Sequence, residues 1–164
     1  MTAVMPDQCR VIRATSDDEM AAVRALRQRV FGDEQRIASA TVSDPDDARS
    51  LHALALVEDE TGGHAVGTGR LTFGFGDRGE ALIAWVATAP AARGRGIGTV
   101  TMRFLLAAAD EAGASIVVLS AQTHAEPFYC RLGFVPAGDP FSVKGIEHRW
   151  MVRRQPSTPR ENLS

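Results

Sequence analysis

Arg93-Gly94-Arg95-Gly96-Ile97-Gly98-Thr99 is the most informative stretch of this chain. It follows an apolar run from Ala81 to Thr88 across the short turn Ala89-Pro90-Ala91-Ala92, and it leads into helical spacing from about Ile97 to Ala112. Glycines at 94, 96 and 98 let the backbone approach a ligand closely, and a helix that starts there aims unpaired N–H groups outward. Arg93, Arg95 and the Thr99 hydroxyl add donors. Together these features predict an anion site, and a pyrophosphate fits it best. A plain tight turn with solvated arginines would leave three glycines, each costly to a helix, without a reason. No Gly-Lys-Ser/Thr follows, so the loop is not a Walker A.

A second glycine-rich segment, Gly74-Phe75-Gly76-Asp77-Arg78-Gly79, formally matches GxGxxG. That motif binds dinucleotides only where a strand ends and a helix begins. Here the apolar run Ala81 to Thr88 follows and Asp77 would repel an anion, so the segment reads as a hairpin turn.

Outward from these loops, strands outnumber helices early and alternate with them later, which is a mixed α/β pattern. Cys9 to Arg13 is a short strand. Ser16 before Asp17, Asp18 and Glu19 has capping-box spacing, and it opens a helix through Met20, Val23, Leu26, Val30 and Phe31 that Gly32 should stop. Asp33 to Ser50 reads as a polar loop with one short helix. Leu51 to Val57 and Ala65 to Phe73 form a hairpin, and Ala81 to Thr88 is a central strand. Ile116 to Leu119 is a buried strand after the long helix. A shorter helix carries Phe128, Tyr129 and Leu132 up to Gly133. Phe134-Val135 and Arg149 to Val152 supply the last strands. Residues 9–154 make the single domain; residues 1–8 and 155–164 are expected to be disordered.

Composition narrows the function. The chain has 164 residues, 45% hydrophobic and 23% charged, with a net charge of −2, ordinary for one globular domain. That balance predicts no nucleic-acid partner. The longest stretch without Asp, Glu, Lys or Arg, Ala112 to Ala125, is too short to span a bilayer. Asp7 and Arg10 interrupt any apolar signal core, and Cys9 and Cys130 are far apart without CxxC spacing, so a cytoplasmic protein with two free thiols is expected. No His/Cys/Asp cluster has metal-ligand spacing, so no metal is predicted. The oligomeric state is open, a homodimer included.

The Arg93 to Gly98 signature resembles the acetyl-CoA pyrophosphate loop, R/Q-x-x-G-x-G/A, of the GNAT N-acetyltransferase superfamily. A second feature, Ala125-x-x-Phe128-Tyr129-x-x-x-Gly133-Phe134, falls at the family's distance from it, and the resemblance covers roughly residues 10 to 153. Leu26-Arg27-Gln28-x-Val30-Phe31-x-x-Glu34-Gln35, Asp47, His52, Ser120-Ala121-Gln122 and Gly145-Ile146-x-His148 resemble the ElaA-like bacterial subgroup. The chain departs from the family at Gln122, where asparagine is frequent, at Trp85, and along Ile37 to Ser43.

The resemblance implies a central, mostly antiparallel mixed sheet of six to seven strands flanked by about four helices. It implies an acetyl-CoA-dependent N-acetyltransferase that acts on a primary amine of a small molecule or peptide, by direct attack in a ternary complex. Arg93, Gly94, Arg95, Gly96, Ile97, Gly98 and Thr99 would hold the pyrophosphate. Backbone N–H groups of Val86, Ala87 and Thr88 would hold the pantetheine. Tyr129, the only tyrosine, would protonate the leaving thiolate, a role that suits a phenol with pKa near 10. Glu34 is the first choice for general base, and a solvated loop carboxylate is its alternative. His52 and Gln122 are candidate substrate ligands, although a buried structural role also suits His52. His124, Glu126 and His148 fall near the expected cleft, His64 in a hairpin turn. Cys130, about 100° round the helix from Tyr129, is read as packing rather than as an acyl carrier. The carboxylates of residues 33–50 (Glu34, Asp44, Asp46 and Asp47) suggest attraction for a cationic amine. Two other readings stay open: a CoA-binding sensor or scaffold without turnover, and an acyl-chain transferase related to acyl-homoserine-lactone synthases.

Overall fold

The fold is taken from a computed structural model that describes residues 8–37 and 44–155; the expected loose ends, apart from Gln8 and Gln155, and most of the Ile37 to Ser43 loop lie outside them. Strands β1 (Cys9–Arg13), β2 (Leu51–Asp59), β3 (Gly62–Thr72), β4 (Ala81–Thr88), β5 (Ile116–Gln122), β6 (Val135–Val143) and β7 (Ile146–Arg154) form one sheet in the order β1-β2-β3-β4-β5-β7-β6. Every neighbouring pair is antiparallel except β4 and β5, which run parallel. Three α-helices accompany it: α1 (Asp17–Arg27), α2 (Ile97–Glu111) and α3 (Glu126–Arg131). The mixed α/β sheet implied by the sequence is present at seven strands.

Strand alternation divides the core between the two faces. Val117, Leu119 and Ala121 of β5 point to one side, where they pack with Met102 and Leu105 of α2, Tyr129 of α3 and Phe134. On the other side Val23 and Leu26 of α1 join Leu54 of β2. The helix α2 sits unusually close to the sheet. A Cβ added to Gly69 would lie 2.7 Å from Leu105 Cδ1, and one added to Gly67 would lie 2.9 Å from Ile97 Cγ2. Two glycines in one strand weaken its intrinsic preference; here they admit the helix that carries the glycine loop.

Three elements differ from the sequence expectation. The capping box at Ser16 forms, with Ser16 Oγ accepting from the Glu19 N–H and Glu19 accepting from the Ser16 N–H. However, Gly32 does not stop the helix: α1 passes into a π-helical segment, Gln28–Glu34, that carries the chain past it. The last strands are a long hairpin turning at Lys144 and Gly145 rather than two short pieces, because Pro136, Gly138 and Pro140 disguise β6 on this sheet edge. Gln155, assigned to the loose tail, is anchored: its N–H bonds the Ser115 carbonyl and its side-chain amide bonds the Leu106 carbonyl.

Replacing Gly69 by alanine should overpack the α2 contact and destabilise the chain by about 1–3 kcal/mol. Urea unfolding checks this, and the same substitution in a Leu105→Ala background should cost less.

Candidate active site

β4 and β5 are in register only at Ala81↔Val117 and Leu82↔Val118. Beyond that point they part, and the backbone groups of β4 that face away from β3 have no strand partner. A bulge in β4 drives the parting. Thr68 and Arg70 of β3 pair with Ala87 and Ala84, so one extra residue of β4 is inserted between them. Trp85 in that bulge has φ +55°, a left-handed conformation unfavourable for a bulky side chain. A cleft of about 730 Å³ opens in the fork; its walls include Trp85, Val86, Ala87 and Thr88 from β4, Ser120 and Gln122 from β5, and Phe128 and Tyr129 from α3.

The glycine loop closes one end of this cleft. Gly94 (φ +76°) and Gly96 (φ +78°) take left-handed backbone, and Gly96 is the residue just before α2. The first helical N–H to find a partner is that of Val100, which bonds the Gly96 carbonyl. The N–H groups of Ile97, Gly98 and Thr99 are therefore free of intrahelical bonds. No side chain caps this helix and no acidic residue lies in its first turn. Gly98 lines the cleft and also serves packing: a Cβ there would lie 3.2 Å from Phe128 Cζ, so this glycine lets α3 pack against α2.

Tyr129 is buried on α3 beside Phe128 and Phe134, at centroid distances of 5.0 and 6.0 Å, and it lines the cleft. Burial pushes its pKa up to about 12, so the phenol stays protonated across the working pH range. Gln122 lines the cleft and donates through Nε2 to Gln35 Oε1 at 2.9 Å. Glu34, at the end of the π-helical segment, is gripped by Arg93 of the glycine loop, with Nη1–Oε1 at 2.6 Å and Nη2–Oε2 at 2.7 Å. That bidentate pair holds the Glu34 carboxyl below its ordinary range and crosses the cleft wall. Among the described residues of the cleft, Glu34 is the only carboxylate.

His52 is not brought to the cleft. It is 3% exposed, and its ring is held between Arg27 Nη2 (3.3 Å from Nδ1) and the Asp47 carbonyl (2.9 Å from Nε2), an arrangement satisfied by the tautomer with its proton on Nε2. Burial lowers its pKa more than the Asp47 contact raises it. The loop carboxylates are likewise engaged elsewhere. Asp47 pairs with Arg27 at 2.8 Å and with Arg70 at 3.2 Å, Asp44 with Arg70 at 3.2 Å, and Asp46 with Arg49 at 2.9 Å. They neutralise arginines instead of attracting an amine. Glu126 pairs with Arg149 at 3.2 Å, whereas His124 and His148 reach the cleft and His64 is tied to Asp59 in its turn. Cys130 is exposed on α3 rather than packed.

Sequence reasoning missed the residues that shape the bulge. The Trp85 ring meets Phe31 edge-on at 5.1 Å, and the Arg27 guanidinium lies 5.3 Å from its centroid. Left-handed backbone at a tryptophan carries no sequence signal. The spacing of Arg27 from Phe31, one helical turn, was the only available hint.

The family model described as Acetyltransferase (GNAT) family matches residues 12–134. A UPF0039 protein of Synechocystis sp. is 33% identical over 144 residues, covering 86% of this chain and 90% of the relative. Among solved structures, Escherichia coli ElaA aligns with a TM-score of 0.76 at 26% identity, covering 89% of this chain and 98% of ElaA. An acyl-CoA N-acyltransferase from Pseudomonas aeruginosa aligns at 0.75 and 28% identity, covering 88% and 97%. The chain belongs to the acetyltransferase (GNAT) family. It is an acyltransferase by class, and ElaA is among its structural neighbours.

The buried His52 gives a pH signature. The folded chain binds the proton less readily than the unfolded one, so stability should fall as pH drops below the ordinary histidine value near 6.5. Thermal midpoints measured from pH 7.5 down to 5.5 should decline, and His52→Gln should flatten the slope. The lowered carboxyls of Asp44 and Asp47 lose their contribution only at more acidic pH.

Proposed function

We propose that the chain transfers an acetyl group from acetyl-CoA to a primary amine by direct attack in a ternary complex. The observation that carries this reading is the fork between β4 and β5, with the uncapped start of α2 at one end and Tyr129 on its wall. The residues present fit the donor. Open space beside Gly94, free N–H groups from Ile97 to Thr99, and the side chains of Arg93, Arg95 and Thr99 suit a diphosphate. The unpaired edge of β4 from Val86 to Thr88 suits an extended pantetheine amide chain, and its N–H groups would polarise the carbonyl where charge develops.

Acetyl-CoA supplies a thioester whose carbonyl carbon accepts the amine lone pair and whose C–S bond then breaks to leave a thiolate. Tyr129 gives its phenolic proton to that sulfur. Glu34 takes the proton released by the attacking nitrogen, so the products are an amide and a thiol. Glu34 becomes effective only once Arg93 turns from it to the diphosphate. The pair is about two-fifths exposed on both sides, and an ion pair of that kind is worth only about 0.2–1 kcal/mol, so the exchange costs little. Two free thiols suit a cytoplasmic setting, and among the described residues no helix is long and apolar enough to cross a membrane.

Two substitutions test this reading. Gly96→Asp puts a negative charge beside the uncapped helix start at a left-handed position that aspartate tolerates better than most residues. Calorimetry should show loss of CoA binding with an unchanged circular dichroism spectrum, and normal affinity would remove the diphosphate site. Tyr129→Phe keeps the packing and removes the proton, so kcat should fall by about 10²–10⁴ with CoA affinity retained. An unchanged kcat would leave Tyr129 a core residue.

A further inference from the structure

The four large apolar side chains most exposed among the described residues are Phe75 (46%), Val135 (61%), Val143 (42%) and Trp150 (37%). All four belong to the β6–β7 hairpin or to the β3–β4 turn that touches it. This concentration is not the scatter of single apolar residues that a protein surface ordinarily shows.

Ring geometry makes the patch directional. Phe75 lies 5.9 Å from Trp150, Trp150 lies 6.1 Å from Phe141, and Phe141 lies 6.1 Å from His148, with interplanar angles of 33°, 31° and 23°. The row is carried on the sheet face that bears Ser120 and Gln122, opposite the α2 side, because Trp150 pairs with Ser120 and His148 with Gln122 across β5 and β7. Trp150 and His148 are themselves walls of the cleft that Tyr129 and Glu34 share. The row is thus a continuation of the cleft.

Charge at this end disfavours one kind of acceptor. Among the described residues Glu34 is the one carboxylate lining the cleft, held by Arg93 until the diphosphate draws that arginine away, and Lys144 stands on the same wall. A polyamine would bring several ammonium groups to a cleft whose described residues offer a single carboxylate, Glu34, with Lys144 beside it. We propose that the acceptor is a primary amine carried on an aromatic body, which lies along the Trp150–Phe141 row and presents its nitrogen towards Trp85 and Val86. This rests on the acetyl-transfer reading above. Flat rings stack on flat rings and gain more than their area alone provides, whereas a linear amine gains only the area.

Tryptamine and phenethylamine are the probes, with spermidine and hexylamine as comparisons, in the full chain with saturating acetyl-CoA. Thiol release should show kcat/KM for the arylalkylamines at least ~10-fold above that for spermidine and for hexylamine. Trp150→Ala should raise KM for tryptamine by ~10-fold or more, Trp150→Phe should restore most of it, and calorimetric affinity for CoA should stay as in the wild type. Calorimetric binding of tryptamine to the wild-type chain and to Trp150→Ala gives the same comparison without turnover. Spermidine used as well as tryptamine, no tryptamine binding, or a KM indifferent to Trp150→Ala would overturn the proposal while CoA binding persists. A patch buried between two copies, seen as a dimer in sedimentation that Trp150→Ala dissociates, would also overturn it. Absent CoA binding overturns the donor reading instead, and tryptamine binding then decides the acceptor class alone.

Discussion

Arg27 is 1% exposed, and its guanidinium meets three partners at once: the Asp47 carboxylate, the His52 ring and the face of Trp85. Holding a non-glycine residue in left-handed backbone costs on the order of 1–3 kcal/mol and persists only where the surroundings over-determine it. At Trp85 they do, through Arg27 and Phe31. Without that anchor β4 would have no reason to bulge, and without the bulge it could remain beside β5 as an ordinary parallel pair. The fork, and the cleft inside it, depend on this contact.

Burying two arginines is costly unless their charge is matched. Asp47 serves both, with Asp44 as a second partner for Arg70. The 3₁₀ turn Pro45–Arg49 is what sets these carboxylates, since Asp44 caps it and Asp47 completes the capping box. A segment that reads as a solvated loop is therefore a clamp on the sheet. Its charges are consumed in positioning β4 and are absent from the cleft, which leaves the acceptor end aromatic, with Lys144 and the Glu34–Arg93 pair as its charged groups.

Much of this was legible in the residues. The glycine loop, the apolar strand before it and the tyrosine helix after it carry local signals: backbone freedom, strand composition, and a Gly133 stop with φ +93°. Glu34 and Gln122 were identified from the family pattern, and both reach the cleft. What escaped is what only tertiary structure creates. His52 looked available because histidine is chemically versatile, but its two ring nitrogens are spent on Arg27 and Asp47. The packing role of Gly98, which makes room for Phe128, carries no local signal either. The aromatic row joins Phe75 to residues more than sixty positions later, a contact fixed by sheet order rather than by spacing.

The central claim is that the fork between β4 and β5, together with the start of α2, receives acyl-CoA. Hydrogen exchange read by mass spectrometry, with and without saturating acetyl-CoA, tests it most directly, because the start of α2 and the side of β4 turned away from β3 present amides without intrahelical or strand partners in the free chain. The expected result is slowed exchange confined to peptides spanning Val86 to Thr88 and Gly94 to Thr99, with β1 and β2 unchanged. Exchange in those two segments that ignores acetyl-CoA, or protection that falls on β1 and β2 instead, would contradict it.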